Sequence, residues 1–139
     1  MIKMFYLFVK CFTEKYFVFN GRSGRKEYLS FLIFDKSVLF FMAILATLTA
    51  SKVIIIISAI YFLLSTFPSI SLTIRRFHDL NLSGWWCVML TLIGVLVISF
   101  IPQNTISTAV LCVLCIAAIL IMFKKGTSGP NKYGEPYVD

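Results

Sequence analysis

Arg75, Arg76, His78 and Asp79 stand side by side in the stretch FPSISLTIRRFHDLNLSGWW, residues 67–86, which also holds both tryptophans. An imidazole titrates near neutral pH and a carboxylate can orient it, so His78 beside Asp79 has the composition of a general acid–base pair. Sequence neighbours on a helix point apart, however, and no evident nucleophile or metal-ligand set accompanies them. Arg75 and Asp79 stand at i and i+4 and can pair along one helix face. The spacing therefore favours an ionic network over catalysis, with Arg75, Arg76, His78 and Asp79 tied to the turn at residues 21–27, or a surface that binds anionic headgroups.

Three further groups can carry chemistry. GRSGRKEY, residues 21–28, crowds Arg22, Arg25 and Lys26 into one turn. There Ser23 can cap a helix and Glu27 would face that helix's positive end. Asp35 and Lys36 lie inside an apolar run. A lone carboxylate at that depth costs on the order of 3 kcal/mol, so Asp35 is expected to be neutral or paired. It is a candidate functional residue; a polar contact between spans is the reading favoured over a transport path. Cys112 and Cys115 form a CxxC, but within an apolar run and without access it reads as small packing residues rather than a redox pair. One histidine and scattered cysteines give no zinc-ligand pattern, and no cofactor is implied.

The elements that must position these residues are membrane elements. The 139 residues are 59% hydrophobic and 14% charged, with mean hydropathy +0.90. A soluble domain carries about a quarter charged residues. Apolar runs of roughly 20 residues cross about 30 Å of hydrocarbon. The net charge of +7 would suggest nucleic acid in a soluble chain, but here the cations cluster at the ends of apolar runs. That placement fits orientation signals and headgroups, and nucleic acid is not expected as a partner.

Residues 1–19 lack the form of a cleavable signal and place Lys3, Lys10, Thr13 and Glu14 on one narrow helix face. An amphipathic helix lying in the headgroup layer is expected there. Asn20-Gly21 then breaks the chain. Spans are expected over about 29–50, 53–74, 85–101 and 105–123, with a turn at 49–52 and another at Pro102-Gln103-Asn104. Pro68 interrupts the second, with Ser65, Thr66, Ser69 and Ser71 near enough to satisfy the freed carbonyls. Asn81, Ser83 and Gly84 suit the turn before the third span, and Trp85 and Trp86 serve as interface anchors. Thr105, Thr108, Cys112 and Cys115 share a face as a small-residue seam. Residues 124–139 form a turn-rich tail without a core-building pattern.

Charge sets the threading. The segment to Lys26 carries Lys3, Lys10, Lys15, Arg22, Arg25 and Lys26; Arg75 and Arg76 follow the second span; Lys124, Lys125 and Lys132 lie in the tail. The loops assigned to the opposite side carry Lys52 alone. This asymmetry predicts an all-α integral membrane protein with four transmembrane helices, an interfacial N-terminal helix, and both termini in the cytoplasm.

GRSGRKEY, PSISLTIRRFHDLNLSGWW and GTSGPNKYGEP together resemble three signature blocks of the domain-of-unknown-function 805 family, small bacterial inner-membrane proteins of the YhaH type. By position the blocks supply Gly21, Arg22, Arg25, Glu27 and Tyr28, then Pro68, Arg75, Arg76, His78, Asp79, Ser83, Gly84, Trp85 and Trp86, and last Gly129, Asn131, Tyr133 and Gly134. The chain departs from the family pattern at Leu29, Phe77 and Leu82, and Asp35 falls where an asparagine is frequent. The resemblance implies an integral inner-membrane protein and supplies no activity. It suggests that the three blocks meet as one cytoplasmic patch of Arg22, Arg25, Glu27, Arg75, Arg76, His78, Asp79, Ser83, Asn131 and Tyr133. The expected function is non-enzymatic, with this basic patch binding anionic phospholipid headgroups, a protein partner or a second copy. The alternatives are a membrane-edge enzyme using His78 and Asp79 and a transport-related subunit using Asp35.

Overall fold

Among the described residues five helices succeed one another: α1 (Ile2–Thr13), α2 (Arg25–Thr49), α3 (Lys52–Asp79), α4 (Trp85–Phe100) and α5 (Thr105–Phe123). They are those of a computed structural model that describes residues 2–100, 102 and 105–137, apart from the side chains of 98, 107, 115, 117, 118, 121 and 122. The expected turn at Gln103-Asn104 and the side chain of Cys115 fall outside the described residues. Among the described residues no strand forms, and Asn131 and Gly134 make an isolated bridge.

Among the described residues two helices, α2 and α3, are long and apolar enough to cross a membrane. At 1.5 Å per residue they reach about 37 and 42 Å, beyond the roughly 30 Å of a hydrocarbon core, whereas α4 reaches about 24 Å. Burial is inverted relative to a soluble protein. Ser30, Asp35, Ser65 and Ser71 are buried, while Phe40, Leu48, Phe62 and Leu63 are exposed. Lipid-facing helices have this distribution, because the bilayer accepts apolar side chains and excludes unpaired polar ones.

The chain forms two compact units. In the first, Met1–Phe19 with Lys26–Leu72, one face of α1 packs Cys11 with Phe31 of α2 and Leu72 of α3. Phe8 and Phe12 each lie 5.7 Å from the Phe31 ring, and each such pair adds about 0.5–1.5 kcal/mol beyond area burial. Ile2, Phe5 and Tyr6 remain exposed on the same helix, so α1 is both packed and apolar on its outer face. It is shorter than the 1–19 expected. The amides of Glu14 and Lys15 both donate to the Lys10 carbonyl, which closes the last turn. The following residues instead strap α3, where the Ser71 hydroxyl donates to the carbonyls of Val18 (2.6 Å) and Lys15 (3.2 Å).

Pro68 lies inside α3 and is buried. Lacking an N–H, it leaves the Leu64 carbonyl without its helical donor. The Tyr16 hydroxyl supplies one, at 2.7 Å. Of the nearby hydroxyls expected to give this relief, Ser65 and Thr66 donate to Phe62 and Ser71 reaches the α1–α2 connection.

The second unit, Asn20–Arg25 with Thr73–Val138, contains the last turn of α3, the α4–α5 pair and the tail. A Schellman motif stops α3. Asn81 takes φ +60°, the Leu82 amide donates to the Phe77 carbonyl at 2.9 Å, and the Asn81 amide donates to that of His78 at 3.0 Å. Asparagine tolerates this left-handed conformation better than most residues. Ser83 opens α4, its carbonyl accepting from the Trp86 amide at 3.2 Å and its hydroxyl facing the Trp85 amide at 3.4 Å.

Candidate functional site: a buried ionic clasp

The last turn of α3 presents Arg76 and Asp79 on one face, and the 20–25 loop brings Arg22 to the same carboxylate. Arg22 Nε lies 2.9 Å and its Nη2 2.8 Å from Asp79 Oδ1, and Arg76 Nη1 lies 2.6 Å from Oδ2. The three side chains are 2%, 1% and 7% exposed for Arg22, Arg76 and Asp79, so little solvent screens them. One carboxylate thus receives two charge-assisted hydrogen bonds, from Arg22 Nε and Arg76 Nη1, and a further close ionic contact from Arg22 Nη2, interactions among the strongest kind proteins make. On α3, Asp79 takes Arg76 at i,i+3 as a partner. Arg75 is buried beside them, and its carbonyl accepts from the Ser23 amide at 3.1 Å.

Further donors of the two guanidinium groups hold the tail. Arg22 donates to the carbonyls of Gly129 (2.8 Å) and Thr127 (2.5 Å), and Arg76 donates to that of Lys124. The Thr127 amide donates in turn to the Asp79 carbonyl at 3.0 Å. Gly126 rests directly on the Asp79 carboxylate, where a Cβ would overlap it. At these contacts the tail, which carries no hydrophobic pattern, is held through its backbone.

His78 faces the other side of the clasp. A carbonyl can only accept, so the 3.2 Å contact with the Gly21 carbonyl assigns the proton to Nδ1. The ring stacks on Tyr133 with centroids 3.8 Å apart and planes 5° from parallel. A Cβ on Gly84 would stand 2.7 Å from Ile74 and 3.4 Å from His78 Nε2, so only glycine lets the turn pass so close. Burial pushes the imidazole pKa below its ordinary value, assisted by the charge of Lys132. Asn131 completes the arrangement, donating to the His78 carbonyl and to Thr127 Oγ1, both at 3.0 Å, and accepting from the Tyr133 amide at 2.8 Å.

Arg22, Arg76, His78, Asp79, Asn131 and Tyr133 are thereby brought together in the second unit. His78 and Asp79 do not form a dyad, because Asp79 is occupied by two arginines and His78 by Gly21 and Tyr133. Arg22 and Arg76 are not a solvent-facing basic patch, and the exposed cations of this unit include Arg25, Lys124, Lys125 and Lys132. Trp85 and Trp86 project outward, 73% and 54% exposed. In the first unit Glu27 is buried and accepts from Lys15 Nζ at 2.7 Å. Asp35, 1% exposed, accepts from Lys36 at 2.9 Å and from the Tyr61 hydroxyl at 3.2 Å, a polar contact between α2 and α3. Sequence reasoning missed Gly126, Thr127 and the carbonyl of Lys124, whose contributions are mostly made by backbone.

The profile of the family described as "Protein of unknown function (DUF805)" matches residues 16–135. The chain belongs to the DUF805 family. The match takes in the clasp from Arg22 to Gly134. Proteins named "Inner membrane protein YhaI" from Escherichia coli strain K12 and from Escherichia coli O157:H7 are each 28% identical to this DUF805 chain over 122 residues, covering 88% of it and 87% of their own length. The family expected from the three blocks is thus the one found, and the relatives carry the YhaI name rather than defining a YhaH type. No solved structure matches this DUF805 chain.

Proposed function

We propose that this DUF805 chain is an integral inner-membrane protein of four spans with both termini cytoplasmic, and that it is a non-enzymatic platform whose exposed cytoplasmic cations bind anionic phospholipid headgroups. Membrane residence is supported by the inverted burial of α2 and α3 and by the inner-membrane relatives. The lysine and arginine asymmetry supports the orientation.

The observation that carries the functional reading is the closure of the clasp. Its histidine and its aspartate are both engaged within the protein, in a geometry that holds three chain segments in place. Such a cluster stabilises a surface rather than turning over a substrate. Cations left on that surface, among them Arg25, Lys124, Lys125 and Lys132, attract an anionic leaflet by about 1 kcal/mol each. Asp35, held by Lys36 and Tyr61, is read as structural rather than as a step in a transport path.

Extraction into mild detergent, followed by identification of co-purified lipid, tests this reading. Phosphatidylglycerol or cardiolipin enriched over phosphatidylethanolamine, relative to the source membrane, supports it. Retention at bulk proportions, or a stoichiometric protein in place of lipid, overturns it.

A further inference from the structure

Leu80 and the segment Lys124–Ser128 line a depression of about 400 Å3 within the second unit. Two lysines and the hydroxyls of Thr127 and Ser128 belong to its wall, and no lining residue is acidic. The clasp determines which way this wall faces. The carbonyl of Lys124 is turned towards Arg76, and that of Thr127 towards Arg22. Across a trans peptide the N–H points opposite to the C=O, so the amides of Lys125 and Ser128 point away from those arginines. Gly126, pressed on Asp79, adds no side chain to obstruct the loop. Locally, Arg22, Arg76, Lys124 and Lys125 stand against Asp79, whose carboxylate is already shared by the two arginines. The charge around the depression is net positive, and its lining residues carry two lysine ammoniums and a serine hydroxyl, with the Lys125 and Ser128 amides turned away from the clasp.

We propose that this depression is a binding site for a phosphate group. Ammonium and backbone donors converging on a concave surface are the chemistry that recognises phosphate oxygens. The group can come from a free phosphate or from the headgroup of an anionic lipid. The lipid version rests on the reading above that this face meets an anionic leaflet; the free-ion version stands without it.

The experiment uses the full chain in two kinds of nanodisc. In phosphatidylcholine discs, inorganic phosphate is titrated by calorimetry. In equimolar phosphatidylcholine–phosphatidylglycerol discs, lipid held by the protein is counted by native mass spectrometry after release into detergent. The test variant is Lys124→Gln/Lys125→Gln, and the control is Lys3→Gln/Lys52→Gln, which removes the same exposed charge from the first unit.

Saturable phosphate binding that weakens at least about tenfold in the test variant, and changes less than about twofold in the control, establishes the free-ion site. Retained phosphatidylglycerol lost in the test variant alone establishes the lipid site. The proposal is overturned if neither ligand binds, or if both variants lose binding equally, the sign of diffuse charge. Phosphatidylglycerol enrichment that survives Lys124→Gln/Lys125→Gln removes this site while leaving the broader lipid reading intact. Phosphate binding without any lipid enrichment does the reverse.

Discussion

Asp79→Asn should be among the most damaging single changes outside the spans. The substitution keeps the shape of the side chain and one carbonyl oxygen. It replaces the second oxygen with an NH2 group that faces a guanidinium, donor against donor. Wild-type Asp79 accepts from Arg22 Nε at 2.9 Å and from Arg76 at 2.6 Å, with Arg22 Nη2 in ionic contact at 2.8 Å, and both arginine side chains are at most 2% exposed. Loss of the carboxylate leaves these two cations buried without their shared counterion. Breaking a buried pair in this way costs about 3–5 kcal/mol, because water cannot reach the charge left behind. The same two arginines hold the carbonyls of Lys124, Thr127 and Gly129, so the tail should loosen together with the loss of stability. Denaturant unfolding in micelles, followed by tryptophan fluorescence, reads the first effect; the rate of tryptic cleavage after Lys124, Lys125 and Lys132 reads the second. Gly126→Ala reaches the same carboxylate by steric overlap and should release the tail without deleting a charge. Asp79→Asn unfolding within about 1 kcal/mol of wild type, with unchanged cleavage, would show that the clasp does not hold the tail.

Tyr16→Phe removes the donor that serves the carbonyl orphaned by Pro68 and should cost about 1 kcal/mol. Pro68→Ala restores an N–H to the helix, so the Tyr16→Phe cost should vanish in that background; equal costs in both backgrounds would refute the assignment. The pKa of His78 is lowered by burial, so the folded state resists protonation and the unfolded state binds the proton first. Its contribution is fully present above the ordinary value near 6.5 and is lost as pH falls through the depressed folded value. Denaturation midpoints should therefore drop on acidification below about pH 6.5, and His78→Gln should flatten that part of the profile. A profile unchanged by the substitution would assign the acid sensitivity to other groups.

Composition and periodicity by themselves determined the helical class, and the family blocks were legible as strings because GRSGRKEY and RRFHD keep their spacing. Helix ends were legible where local chemistry sets them, as with Asn81 at the end of α3 and Ser83 before α4. Helical spacing offered Asp79 two arginines, because i,i+3 and i,i+4 are both neighbours, and it could not announce Arg22, which arrives from a loop 57 positions away. Pro68 announced an orphaned carbonyl, but its donor Tyr16 lies 48 positions from Leu64. The tail showed no core-building pattern because many of its anchors are backbone groups, which every residue possesses and no residue type signals, whereas Asn131 and Tyr133, which hold it through side chains, were legible in the third block. Local sequence set what each segment could form; tertiary structure decided which donors met which acceptors, because those partnerships depend on distances that close only when distant segments pack.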